Sequence, residues 1–200
     1  MASATSELVL GPLLRYVSET EATVWVETNE PCEVEILGRR EPTFRVEGHH
    51  YALVRVESLE PASSFEYEVA LDGRIRWPEP SSDLPPSVIR TLGAEGPLDV
   101  CFGSCRVALP HEPPYTETKD ADREGHEIAL RVLADQMAHD DRGSRPDQLF
   151  LLGDQVYVDE GSPEVRQRIR ARRGTATPPG EDVTDFEEYT WLYLESWRGR

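Results

Sequence analysis

The sequence predicts an antiparallel β-sandwich of about 90 residues, followed by an α/β unit. Residues 8–92 contain short runs in which apolar and polar residues alternate, a pattern typical of strands that are buried on one face. After the linker Gly93–Pro97, near-continuous apolar runs flank a segment of helical periodicity, which is typical of strands buried on both faces around a crossover helix. We therefore expect domains at residues 1–93 and 97–200.

Four alternating runs carry the β prediction. They are Glu21–Thr28, Cys32–Gly38, Tyr51–Leu59 and Phe65–Gly73. The fourth run places Phe65, Tyr67 and Val69 on one face, as in a single continuous strand. It ends in Asp72-Gly73, a dipeptide that favours a hairpin turn. Short strands of this kind predict a two-sheet sandwich, which a last strand at residues 88–92 completes.

The second region begins with an apolar run, Leu98–Arg106, and a similar run follows at Asp147–Asp154. Both are predicted to be strands buried on both faces. Between them, Gly125–Asp140 carries apolar residues at helical spacing. A strand, a helix and a second strand in this order form a βαβ unit, so the two strands should be parallel neighbours. Two further helices are predicted over residues 163–174 and 183–200, the second of them rich in aromatic residues.

The composition excludes some classes of partner. The 38 acidic residues exceed the 21 basic ones and give a formal net charge of -17. Duplex nucleic acid is bound by an excess of Lys and Arg, so it is not an expected partner. No apolar stretch approaches the roughly 20 residues of a membrane span, and the N-terminus lacks a basic n-region and twin arginines, so we expect a cytoplasmic protein. Three cysteines, an odd number, fit free thiols better than a disulfide framework.

Both strands of the predicted βαβ unit end in residues that can carry chemistry. The first ends at Gly103-Ser104-Cys105, and the second ends at Gly153-Asp154, with Tyr157 three residues further on. Ligands of open parallel sheets bind beyond the carboxyl ends of the strands, so neighbouring strands would bring Cys105 and Asp154 to one crevice. Tyr157 can point back to the same place. The glycine ahead of each reactive residue lets the backbone turn sharply.

A thiol, a carboxylate and a phenol share a preference for a strongly Lewis-acidic cation. Free thiols and phenols have pKa values of roughly 8.5 and 10, so both keep their protons at neutral pH unless a cation stabilises the anion. Magnesium or calcium alone would favour oxygen ligands over sulfur. The mixture of Cys105, Asp154 and Tyr157 therefore favours a trivalent or transition metal, and Fe(III) is the natural choice.

The two motifs also carry a resemblance. The stretch GSCR at residues 103–106 and the later stretch FLLGDQVYVDE at residues 150–160 resemble the alkaline phosphatase D (PhoD-like) metallophosphatases, relatives of the purple acid phosphatases. The resemblance implies that Cys105, Asp154 and Tyr157 ligate iron, and that Asp154 also bridges towards a second site that holds calcium. It implies metal-dependent hydrolysis of a small-molecule phosphate ester.

The resemblance extends over most of the chain. That family carries a fibronectin-III-like domain ahead of its catalytic domain, in the same order as the β-sandwich and βαβ unit expected here. Leu59–Val69 resembles the corner of a fibronectin domain, but Phe65 stands where a tyrosine is usual and cannot donate the phenol-to-backbone hydrogen bond. The family's further Asp, Asn and His ligands are absent from the sequence. We therefore expect residues 97–200 to be the start of a metallophosphatase domain, truncated at its C-terminus, and the chain alone to be inactive.

Alternatives remain open at this point. Arg106 follows the cysteine and either holds a phosphate oxygen of the substrate or is a solvated surface residue. His49 and His50 are expected at the surface. The whole chain is either a metallophosphoesterase or a non-enzymatic binding module, in which the β-sandwich binds the partner and the rest is a scaffold. Nucleotide binding is disfavoured because no G-x-G-x-x-G motif opens the predicted helix.

Overall fold

The computed structural model describes residues 5–82, 85–105, 129–139, 145–159 and 161–198. The chain divides into two compact units, Met1–Leu98 and Asp99–Arg200, which we describe separately. None of the described helices is long and apolar enough to cross a membrane.

The first unit is built from antiparallel strands. In chain order they are β1 (Leu8–Val17), β2 (Glu21–Thr28), β3 (Glu33–Ile36), β4 (Arg39–Pro42), β5 (Phe44–Val46), β6 (His49–Glu57), β7 (Ser64–Glu66), β8 (Val69–Leu71), β9 (Arg74–Trp77) and β10 (Val88–Arg90). One sheet has the order β1-β2-β6-β5, a second has the order β4-β3-β8-β9, and β10 pairs with β7. All these pairings are antiparallel, which is consistent with the predicted β-sandwich.

The two large sheets share one apolar core. Its fully or nearly fully buried members come from both sheets and from the segments that connect them: Ala22, Val24, Val26, Val34, Ile36, Ala52, Val54, Val56, Tyr67, Val69, Leu71 and Ile89. The alternation seen in the sequence places every second side chain of β2 and β6 in this core. Burial of this apolar surface is the main stabilising contribution to the unit.

The fourth alternating run is not one strand, so this part of the prediction is wrong. Phe65 lies in β7 and pairs with Ile89 of β10, whereas Val69 lies in β8, in a different sheet. Tyr67, between the two strands, is buried, and its backbone N–H donates to the carbonyl of Ser87 at 3.0 Å. The period-two pattern persists because each residue still alternates between core and surface while the chain passes from one sheet to another.

Thr91 makes hydrogen bonds to the backbone at the corner where a fibronectin domain usually has a tyrosine. The hydroxyl of Thr91 donates to the carbonyl of Glu60 at 2.6 Å and accepts from the backbone N–H of Ser63 at 3.0 Å. Thr91 is buried, and its own N–H donates to the carbonyl of Ser63 at 3.0 Å. The corner therefore keeps its hydrogen bond to the backbone although Phe65 has no hydroxyl group.

The second unit contains the predicted parallel pair of strands. Its elements are β11 (Val100–Gly103), α1 (Ala129–His139), β12 (Gln148–Leu151), α2 (Pro163–Arg172) and α3 (Phe186–Trp197). β11 and β12 are parallel, with Val100 opposite Gln148 and Gly103 opposite Leu151, so the predicted order and direction of strand, helix and strand are confirmed. Residues 125–128 and 140 of the predicted first helix lie outside the described residues.

The burial predicted for these two strands is wrong. Phe102 of β11 is 71% exposed, and Phe150 of β12 is 46% exposed. Within the described residues the sheet has only these two strands, so its faces have little to pack against. Apolar runs of this kind are buried on both faces only where further layers cover them.

Helices α2 and α3 pack on each other. Val165 and Ile169 of α2 and Leu192 of α3 form a small core. The aromatic residues predicted at three- or four-residue spacing do line up, since the rings of Tyr189 and Tyr193 stack at 6.4 Å between centroids. The same helix buries a carboxylate, because the side chain of Glu188 is fully inaccessible to solvent.

Candidate functional site

The carboxyl ends of β11 and β12 adjoin each other. The last ladder pair is Gly103 opposite Leu151. Beyond it, the N–H of Leu152 donates to the carbonyl of Gly103 at 2.8 Å, and the N–H of Cys105 donates to the carbonyl of Gly153 at 3.3 Å. The backbone pairing therefore continues past the strands and places Cys105 next to Gly153, the residue that precedes Asp154.

Cys105 and Asp154 are in direct contact, as predicted from their places at neighbouring strand ends. The Sγ atom of Cys105 donates to Oδ2 of Asp154 at 3.4 Å, and both residues are exposed. The hydroxyl oxygen of Ser104 lies 3.5 Å from the same sulfur atom. A thiol and a carboxylate thus share one solvent-accessible position beyond the carboxyl edge of a parallel sheet, where ligands of such sheets bind.

The backbone at both residues is left-handed. The φ angle is 57° at Cys105, 48° at Asp154 and 127° at Gly153. Left-handed non-glycine residues cost of order 1 kcal/mol or more and are enriched at functional sites. A glycine adopts a positive φ angle ahead of Asp154, as expected, but Cys105 and Asp154 also take up the left-handed conformation themselves.

Tyr157 and Arg106 are the other two residues that the sequence assigns to the site. Tyr157 is half-buried in the turn that follows Asp154, and its membership of the same site stays a prediction. Arg106, the candidate for holding a phosphate oxygen, lies outside the described residues. The three cysteines, Cys32, Cys101 and Cys105, are free thiols, and of these Cys105 is exposed.

The donor set fits one side of the metal site that the sequence predicts. Within the described part of the chain, no group of three or more His, Cys, Asp or Glu side chains is arranged to hold a metal ion. Cys105 and Asp154 supply one soft and one hard anionic donor, the combination that transition metals accept and that magnesium or calcium alone would not. These two residues would hold such an ion from one side, and the remaining donors would have to come from elsewhere.

One residue next to the pair was not singled out from the sequence. The Nε2 atom of Gln155 donates to the carbonyl of Gly153, the same oxygen that accepts from Cys105. The Oε1 atom of Gln155 is buried and has no hydrogen-bond partner among the residues that the structure describes. No periodicity or spacing marks a glutamine as a backbone clamp, so only the coordinates reveal it.

A second surface feature lies on the sandwich, on the sheet that contains β2, β6 and β5. The ring of Tyr51 stacks on Trp25 at 5.5 Å and on His49 at 6.1 Å, and it lies 6.0 Å from Phe44, which is half exposed. His49 is not the plain surface residue that we expected. Its Nδ1 atom lies 2.8 Å from Oε1 of Glu27, a nearly buried carboxylate.

One comparison with known proteins matches part of the first unit. A family model described as a domain of unknown function (DUF7800) matches residues 5–89, which include most of the sandwich. No curated protein matches the chain.

A solved structure described as the structure of PhoD is similar in fold. It superposes with a TM-score of 0.59 at 16% identity, over 98% of this chain and 36% of that chain. At this identity the likeness shows the fold alone, and the chain spans little more than a third of the PhoD structure. The sensor domain of the anti-sigma factor RsgI4 from Pseudobacteroides cellulosolvens matches 46% of this chain and 95% of its own at 13% identity, but its TM-score of 0.32 does not indicate a shared fold.

Proposed function

We propose that this chain supplies the N-terminal sandwich, residues 1–93, and the first part, residues 97–200, of a metal-dependent phosphoesterase of the alkaline phosphatase D type. The observation that carries the proposal is the contact between Cys105 and Asp154 at adjacent carboxyl ends of two parallel strands. The fold likeness to PhoD supports it independently of that contact.

Each residue of the proposed site has a chemical role. Cys105 and Tyr157 would be the anionic donors that select Fe(III), and Asp154 would hold the same ion and serve as the bridge towards a Ca²⁺ site. Such a metal pair supplies Lewis acidity towards a phosphate ester. Arg106, next to Cys105 in the chain, is the donor proposed for a phosphate oxygen, since a guanidinium pairs well with that group.

The proposal also includes the substrate, the activity of residues 1–200 alone and the colour of the metal-loaded protein. The substrate is a small-molecule phosphate ester and not duplex nucleic acid. Residues 1–200 alone are expected to be inactive, because Cys105, Asp154 and Tyr157 complete only part of a two-metal site. Ferric thiolate and phenolate bonds absorb visible light, so the loaded native protein should be coloured.

The test is an absorption spectrum with metal analysis of the native protein and two variants. Tyr157→Phe removes only the phenolate oxygen, so the visible band should shift or fade and iron should be held less tightly. Asp154→Asn should reduce the iron content more, because a neutral amide is a poor bridge between two cations. Tyr189→Phe, on α3, is the matched control and should leave both measurements unchanged.

A colourless, iron-free and fully active wild-type protein would refute this assignment. A second candidate, the binding module, is favoured by the aromatic surface around Tyr51, because exposed aromatic clusters are often contact sites. If the sandwich alone carries the function, Phe44→Ala should abolish it and Asp154→Asn should not.

A further inference from the structure

Among the described residues, the carbonyl of Gly153 is one of two backbone acceptors that join the strand ends; the other is the carbonyl of Gly103, which accepts from Leu152. The Gly153 carbonyl accepts from the backbone N–H of Cys105 at 3.3 Å and from the side-chain amide of Gln155. Gly153 and its two neighbours in space, Cys105 and Asp154, all have left-handed φ angles. A backbone in this conformation persists only where surrounding contacts hold it.

The side-chain amide of Gln155 has a defined orientation, since only its NH₂ group can donate to the Gly153 carbonyl. The other atom of the amide, Oε1, is buried and has no hydrogen-bond partner within the described residues. The contact with the Gly153 carbonyl is therefore the hydrogen bond by which this side chain acts on the turn.

We propose that Gln155 is the positioning residue of the site: its side-chain amide clamps the Gly153 carbonyl and so holds Asp154 against the thiol of Cys105. Gln155 itself need not touch metal or substrate. The chemical use of the pair rests on the proposed function, but the clamp is a property of the chain without metal. The experiment below therefore tests the two separately.

The first arm measures how strongly Asp154 influences Cys105 without any metal present. The probe is the ratio of two alkylation rates at fixed neutral pH, that of anionic iodoacetate over that of neutral iodoacetamide, read for Cys105 alone by peptide mass spectrometry. A carboxylate about 4 Å away repels the anionic reagent in water by a factor of roughly five and leaves the neutral one unaffected, so Asp154→Asn should raise the ratio about fivefold. In the Gln155→Met background the same substitution should change the ratio less than about twofold, because the two groups have separated.

Gln167→Met, an exposed glutamine on α2, is the matched control and should preserve the fivefold effect. Gln155→Leu should behave like Gln155→Met, and circular dichroism checks that both variants fold. An equal effect of Asp154→Asn in all backgrounds would overturn the proposal. So would the lack of any effect in the wild type, since Asp154 would then not face Cys105 in solution.

The second arm uses Co²⁺ as the probe and follows the thiolate-to-cobalt absorption band. Loss of a residue that orients a metal ligand weakens metal binding by about tenfold or more, and Gln155→Met should show such a loss while Gln167→Met does not. Undiminished Co²⁺ affinity in Gln155→Met would contradict the clamp. This arm uses the native protein, which carries the remaining donors; if it takes up no Co²⁺ while the alkylation result holds, the clamp stands and the proposed function loses its metal site.

Discussion

Apolar strands of the same kind have opposite surroundings in the two units. In the sandwich, Val24 of β2 lies opposite Val54 of β6, and both side chains are fully buried. In the second unit, Phe102 of β11 lies opposite Phe150 of β12, and both residues are exposed, Phe102 more than Phe150. A strand needs only its own sequence and one partner to form, but its burial needs a second layer.

The two units also differ in what they bury. The main core of the sandwich is apolar apart from the hydroxyl of Tyr67, whose pKa burial raises to about 12, and the polar residues Glu27, Thr28 and Thr91 are buried outside that cluster. The contact of α2 with α3 instead surrounds the Glu188 carboxylate. Arg173 donates to it from Nε at 2.7 Å and from Nη2 at 3.2 Å, and Thr184 donates from its backbone N–H at 3.0 Å and its hydroxyl at 3.1 Å. The second unit thus depends on directional polar contacts where the first depends on packing.

The largest effect should come from removing a large side chain from the sandwich core. Ile36→Ala should lower the free energy of unfolding by about 4 kcal/mol, because a fully buried isoleucine loses its packing and leaves a cavity. Ile75→Ala, on β9, is the matched control, since this isoleucine is 58% exposed and should cost within about 1 kcal/mol. Chemical denaturation of both variants gives the values. Equal costs would mean that the sandwich core is not packed as described.

A smaller loss should follow from Glu188→Ala in the second unit. We expect about 3 kcal/mol, since truncation removes a fully buried carboxylate that accepts hydrogen bonds from Arg173 and Thr184. Glu195→Ala, exposed on the same helix, should change the free energy of unfolding by about 0.5 kcal/mol or less. Hydrogen exchange of the α2 and α3 amides reports the loss locally, and unchanged exchange in Glu188→Ala would contradict the role of the carboxylate.

The same carboxylate predicts an acid dependence. Hydrogen bonds from Arg173, and then from Thr184, lower the pKa of Glu188 from its ordinary value of 4.5 to about 2. A lowered folded-state pKa stabilises the protein fully above pH 4.5, and this contribution is lost as the pH falls through 2. The difference in stability between wild type and Glu188→Ala should therefore shrink across that interval, and a difference that stays constant would exclude Glu188 as its source.

How much of the fold could be predicted differs between the units for a physical reason. Strands such as β2 and β6 were predictable because alternation directly reflects one buried face. The passage from β7 to β8 was not, because Phe65, Tyr67 and Val69 keep their alternation while they change sheets. The apolar run of β11 shows only that this strand can be buried, and the exposure of Phe102 is what we expect of a strand that lacks further sheet neighbours within the described residues.

The candidate site divides in the same way. The contact of Cys105 with Asp154 followed from topology, because parallel neighbours bring their carboxyl ends together. The clamp by Gln155 did not, since it depends on one amide reaching a carbonyl two residues earlier in the chain. In the sequence, nothing distinguishes Glu188 from the other acidic residues of its helix. In the structure, its five hydrogen bonds from Arg172, Arg173 and Thr184 show that it is central to the unit.

The smallest effect should be that of Phe102→Ser in residues 1–200. Its side chain is 71% exposed, so the free energy of unfolding should change by about 0.5 kcal/mol or less, while sedimentation should show weaker self-association, because an exposed apolar strand favours aggregation. In the native protein, where we propose that further layers cover β11, the same substitution should cost about 3 kcal/mol or more. The contrast between the two measurements decides whether β11 belongs to a larger sheet. A small cost in both would mean that the exposure of Phe102 is its natural state, and the proposed catalytic domain would then lack its central layer.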